Sequence, residues 1–141
     1  MKVVVIDGQG GRMGQMIVER IKGSELVCRI TAIGTNSIAT AAMVKAGADE
    51  AATGENSVVV AVRDADIIIG PIGIIAADSL IGEITGKMAV AVGRSKAKKL
   101  LIPVNSCNNI VIGTKDLSMT NLIAGAVEVL QDLLNNQHEA G

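Results

Sequence analysis

Phenylalanine, tyrosine and tryptophan are all missing from the 141 residues. Without aromatic rings the chain cannot stack a base or a flavin on an aromatic face, nor build the platform on which single-strand binders hold successive bases. Cysteine is also scarce: Cys28 and Cys107 show no CxxC spacing, and with one histidine, His138, they make neither a disulfide framework nor a zinc site. Charge of one sign is lacking, since the net charge is −1 and only Arg94 to Lys99 form a local basic run. Nucleic-acid binding as the main role is therefore not expected. No apolar run approaches the roughly 20 residues that cross a bilayer, and the amino terminus enters an apolar stretch without the parts of a signal peptide. These absences predict a cytoplasmic protein with no membrane or metal partner.

What is present is aliphatic. Hydrophobic residues make up 49% of the chain, so the core has to be built from Val, Ile, Leu, Ala and Met, and the length suits one domain. Apolar strands alternate with helical patterns, which predicts an α/β fold: a Rossmann-like, doubly wound, mostly parallel sheet with helices on both faces. The run 2–7 reads as a buried central strand. Met13, Met16, Ile17 and Ile21 then repeat at helical spacing up to Gly23. Further strands are expected at 26–34, 48–52, 66–70, 98–104 and 109–113, with helices from Asn36 or Ser37 to about Ala46 and from Thr85. The segment 55–64 is read as helix, because a right-handed crossover outweighs its valines. A long helix from Ser118 carries Leu122, Ile123, Val127, Leu130 and Leu134 on a wide apolar face. The domain is expected to span 1–134, with 135–141 as a flexible tail.

Directly after the first strand, Gly8, Gly10, Gly11 and Gly14 fall within seven positions. Both GxxGxxG and GxGxxxG can be read here. These are variants of the dinucleotide fingerprint, in which glycines allow a tight turn, close approach of a pyrophosphate and close helix packing, while free N–H groups at the helix start face the anion. Gly8, Gln9, Gly10, Gly11, Arg12, Met13 and Gly14 are therefore candidate binding residues. Other small or polar turns follow other strands: Gly34, Thr35 and Asn36; the stretch TGEN; Gly70, Pro71, Ile72 and Gly73; and Asn105, Cys107 and Asn108. In an open α/β sheet the ligand crevice lies outside the carboxyl ends of the strands, so these turns are expected to share one rim. Ordinary turn chemistry is the alternative. The place where NAD-selective folds carry an acid holds neutral Gly34, Thr35 and Asn36, and Arg12 could pair with a 2′-phosphate; the cofactor expected is NADP, or another nucleotide.

Catalytic groups are few. Cys107 is a weak nucleophile candidate, since no neighbouring cation lowers its pKa, and Cys28 reads as core. Asp7, Asp78 and Glu83 are possible acids near the rim, His138 a tail residue.

The stretch GGRMG (10–14) resembles the cofactor loop of dihydrodipicolinate reductase, in which the arginine matching Arg12 lies beside the adenosine ribose and its phosphate. That resemblance implies the same place for Arg12, but the second domain with its histidine and lysine constellation is missing. Over nearly the whole chain, IDGQGG, GTNSIATAAMVKAGADE, TGEN, GPIGII, GEIT and IPVNSCN are similar to a family of short bacterial Rossmann-like proteins catalogued as a domain of unknown function. The expectation is a nucleotide- or dinucleotide-binding module, a sensor or a subunit. Alternatives are a small NADP-dependent oxidoreductase completed by a partner subunit, and a structural protein without ligand. Surplus apolar surface on the last helix and on GPIGII predicts a homodimer or a dimer of dimers.

Overall fold

The computed structural model describes residues 1–104 and 109–140. Five strands, β1 (Lys2–Asp7), β2 (Arg29–Gly34), β3 (Glu50–Thr53), β4 (Ile67–Pro71) and β5 (Lys98–Ile102), alternate with α1 (Arg12–Lys22), α2 (Ser37–Lys45), α3 (Glu55–Ala61) and α4 (Gly86–Arg94). The chain closes with α5 (Met119–Ala140). All strand pairs are parallel, in the order β3-β2-β1-β4-β5. The carboxyl ends of the strands therefore share one edge, and the order reverses direction beside β1, the place where open sheets of this kind form a crevice.

Side-chain alternation along β1 divides the core in two. Val3 and Val5 join Met13 and Ile17 of α1, Met43 of α2 and Ile123, Val127 and Leu130 of α5 on one face. Val4 and Ile6 join Val58 of α3, and Met88 and Val92 of α4, on the other. Burial on both faces is what a continuous apolar strand requires, and residues 3–6 are all fully buried. Local signals fix the helix starts. The Asn36 side chain accepts the Ala39 N–H at 2.9 Å, and the Thr85 hydroxyl accepts the Met88 N–H at 3.2 Å.

Several expected boundaries are corrected. The stretch 109–113 is not a strand: Ile110 and Ile112 are exposed, Gly113 has φ +90, and β5 remains the sheet edge among the described residues. Its alternating isoleucines imitate a strand, yet the chain turns there and the Thr114 hydroxyl donates to the Val111 carbonyl at 2.8 Å. β2 begins at Arg29 rather than Leu26, because its partner β1 begins at Lys2, opposite Arg29. β5 stops at Ile102, ahead of Pro103, which has no N–H to give. β3 lies at Glu50–Thr53, and α5 continues as helix through the segment 135–140 expected as tail. Among the described residues no helix is long and apolar enough to cross a membrane, and no cluster of His, Cys, Asp and Glu could hold a metal ion.

Leu130 is fully buried at the centre of the α5 contact with the sheet. Leu130→Ala is expected to destabilise the protein by about 2 to 5 kcal/mol, seen as a lower urea midpoint with an unchanged slope. A midpoint equal to wild type would mean that α5 does not form this face of the core.

Candidate functional site

Asp7, the last residue of β1, is buried, and its two carboxylate oxygens take the N–H groups of Gly8 at 2.8 Å and Gly14 at 2.7 Å. The glycine turn is thereby tied at both ends to the strand that enters it. Burial pushes the Asp7 carboxyl above its ordinary value, against the lowering effect of the Gly14 and Gly8 N–H bonds, and the nearby Glu83 charge adds to the rise.

A second carboxylate reaches the loop from a distant part of the chain. Glu83 accepts the Gln9 N–H at 2.5 Å, the Thr35 hydroxyl at 2.8 Å and the Asn36 amide at 3.0 Å. The same Asn36 amide donates to the Gln9 carbonyl at 2.9 Å. Partial burial would raise the Glu83 pKa, but these three donors outweigh it and hold the carboxyl below its ordinary value. The ends of β1 and β2 and the segment after β4 are thus joined through one side chain.

The glycines divide by what a side chain would meet. A Cβ at Gly8 would meet the Glu83 carboxylate and the Thr35 hydroxyl, so this position lets the cluster approach the backbone. Gly11 has φ +73, and a Cβ there would lie 2.6 Å from the Cα of Ala39; at Gly14 it would meet Met43 and Asp7. These two glycines let α1 and α2 pack. Gly10 alone in the loop meets nothing within 4 Å.

The N–H groups of Gly10, Arg12 and Met13 have no acceptor among the described residues, and Arg12 is exposed without an ion pair. Met13 is buried, with its side chain in the core. Gly34 ends β2, Gly70 and Pro71 end β4, and Ile72 and Gly73 lie in the 3₁₀ turn Ile72–Ile75 that follows. TGEN holds the end of β3 and the start of α3. The described members of the expected rim therefore stand at the carboxyl ends of the strands. Asn105, Cys107 and Asn108 lie outside the described residues, and so does the side chain of His138.

Clefts open at this edge among the described residues. One, of about 730 Å³, lies beside the loop between Gln9, Asn36 and Ile38 on one side and Leu80, Ile81 and Glu83 on the other. Another, of about 650 Å³, has Ile72, Ile75 and Ser79 facing Ile110 and Ile112. Sequence reasoning placed Glu83 only loosely and passed over Ile38, Leu80 and Ile81. The stretches containing them are visible, but a contact spanning 74 residues, from Gln9 to Glu83, leaves no local trace.

The sequence matches the family described as Domain of unknown function (DUF3842) over residues 2–135. The chain belongs to this family. No curated protein matches it. Among solved structures, this DUF3842 chain is similar to a dodecameric FMN-dependent UbiX-like decarboxylase from Escherichia coli O157:H7, with a TM-score of 0.53 and 14% identity over 96% of this chain and 95% of that one. At that identity the likeness is one of fold, and it supports the Rossmann-like architecture of the DUF3842 domain.

Two outcomes test the loop. Gly11→Ala is expected to cost about 2 to 4 kcal/mol, because it adds a left-handed alanine to a clash with backbone, while Gly10→Ala stays within about 1 kcal/mol of wild type. Equal denaturation midpoints for the two variants would contradict the division of roles. The carboxylates are expected to titrate with opposite sign. A raised folded-state pKa means that the contribution of Asp7 is complete at low pH and is lost as pH rises through that pKa; the lowered pKa of Glu83 means that its contribution is lost as pH falls. The stability difference between wild type and Asp7→Asn should therefore shrink with rising pH across the acidic range, and that for Glu83→Gln should grow. Denaturation of all three proteins in a pH series measures both slopes.

Proposed function

We propose that this protein is a binding module for a nucleotide-type ligand whose phosphate sits at the start of α1. The observation that carries the reading is the set of N–H groups at Gly10, Arg12 and Met13 that find no acceptor among the described residues, beside an Arg12 guanidinium without an ion pair among them and the open space over Gly10. The positive end of an 11-residue helix and converging amides favour an anion there. Arg12 adds a charge-assisted bond to a phosphate oxygen. The cleft beside the loop is of the size that small ligands occupy. The FMN-dependence of the decarboxylase of similar fold favours a nucleotide-type cofactor without favouring NADP. Within this reading Glu83 weighs against NADP: the 2′-phosphate expected beside Thr35 and Asn36 would meet a carboxylate held in its charged form.

Titration calorimetry with FMN, NAD, NADP and ADP tests the reading. At least one is expected to bind, and Arg12→Ala is expected to weaken it by about 1.5 kcal/mol, roughly tenfold in Kd. A folded chain that gives no heat with any of them at millimolar concentration would overturn the proposal.

A self-associated state fits the apolar surface left exposed. Leu117, Met119 and Val129 are exposed near the groove between β5 and α5, and β5 is a free sheet edge among the described residues. Ile74 of GPIGII is buried and Ile75 exposed, so that segment serves the core and leaves apolar surface as well. A homodimer or a dimer of dimers is expected. Light scattering over a dilution series checks it, and a constant mass of 14.4 kDa would refute it.

A further inference from the structure

Between β4 and α4 the chain forms a strap, residues 76–84, whose backbone is unusual. Asp78 (φ 67), Leu80 (φ 55) and Ile81 (φ 55) are all left-handed, and Gly82 (φ 85) follows. Left-handed backbone is uncommon for any residue with a side chain and an outlier for a β-branched one. Ile81 is nevertheless 90% exposed, so burial of its own side chain does not offset the strain. The strap is held in this shape by its own bonds. The Asp78 N–H donates to the Ile84 carbonyl at 2.7 Å, the Ile84 N–H to the Ser79 carbonyl at 3.2 Å, and the Ser79 hydroxyl to the Gly73 carbonyl. Ile84 anchors the end in the core. Strain that persists at a surface, held from several sides, points to a function for the conformation.

What the conformation achieves is visible in the cleft. It turns the Glu83 carboxylate onto Gln9, Thr35 and Asn36, at the end of β2, and sets Leu80 and Ile81 along the same cleft as Ile38 at the start of α2. Ile38 is itself 68% exposed. Folds of this class read a ribose hydroxyl with an acid at the end of the second strand. Here that strand ends in Gly34, Thr35 and Asn36, and the acid comes instead from the strap. With three donors placed on it, a carboxylate offering about four lone-pair positions retains capacity for one more donor. In a protein without aromatic rings, aliphatic walls are the available surface for a base.

We infer that the cleft between the start of α2 and the 76–84 strap receives the nucleoside half of the ligand, with Glu83 accepting from the ribose 2′-hydroxyl and Ile38 and Ile81 flanking the base. This rests on the nucleotide reading above and deepens it. The consequence is a specificity rule: a free 2′-hydroxyl is accepted, a 2′-deoxyribose loses a bond, and a 2′-phosphate meets the carboxylate.

Calorimetry of the intact chain with ADP, 2′-deoxy-ADP, adenosine 2′,5′-bisphosphate and inorganic pyrophosphate tests it. Wild type is expected to prefer ADP over 2′-deoxy-ADP and the 2′-phosphate by about tenfold, and Glu83→Gln to compress that preference to about twofold. Ile81→Asn provides a second variant, because asparagine accepts left-handed backbone and so keeps the strap while removing the apolar wall. It is expected to weaken ADP about fivefold and leave pyrophosphate unchanged. An unaltered preference in Glu83→Gln would overturn the inference, and so would equal tightening of every probe, which would make Glu83 a plug over the loop. Wild type that binds pyrophosphate but not ADP would overturn it too, while leaving the phosphate site standing; silence with both would remove the site as well.

Discussion

The buried carboxylate of Asp7 is the constraint around which this edge of the molecule is organised. Its two bonds to Gly8 and Gly14 fix both ends of the turn, so the direction of α1 is set by the strand before it. With α1 placed, Gly11 and Gly14 admit α2 to close contact, and the start of α2 brings Asn36 to the Gln9 carbonyl. The cost is a charge removed from water. The two backbone N–H groups compensate in part, but burial still favours the neutral acid.

The two edges of the sheet solve different electrostatic problems. At the amino ends of the strands, charges meet charges across the surface: Lys2 with Asp64 at 2.6 Å, Lys22 with Asp49 at 2.8 Å, and Arg29 with Glu50 at 3.1 Å. Such exposed pairs contribute little to stability. At the carboxyl ends, the carboxylates of Asp7 and Glu83 are held by amides and a hydroxyl, and Arg12 has no ion pair among the described residues. Among the described residues, ion pairing is thus concentrated on the side away from the glycine turn.

The parallel architecture was legible because its signals are local and repeated. Continuous apolar strands, a glycine after α1, helix starts read at Asn36 or Ser37 and at Thr85, and the crossover argument for Glu55–Ala61 each lead to the observed element. The alternating isoleucines at 110 and 112 misled, since alternation describes a strand only where another strand is there to pair with it. The glycine turn was equally legible as a turn, but the separate duties of Gly8, Gly10 and Gly11 depend on Glu83, Thr35 and Ala39, which approach from other elements. The acid at the end of β2 was sought in the strand that usually carries it. It arrives through a strap in which two of the left-handed residues, Leu80 and Ile81, are types that sequence rules assign to regular structure.

The two aliphatic core faces have an optical consequence. Packed from Val, Ile, Leu, Ala and Met without a single ring, they leave the folded protein almost transparent in the near ultraviolet and without intrinsic fluorescence. Unfolding has to be followed through the backbone, by far-ultraviolet dichroism or calorimetry. In return, the polypeptide contributes almost no background in the band where purines and flavins absorb, so a chromophore retained through purification would stand out in the spectrum of the protein as isolated.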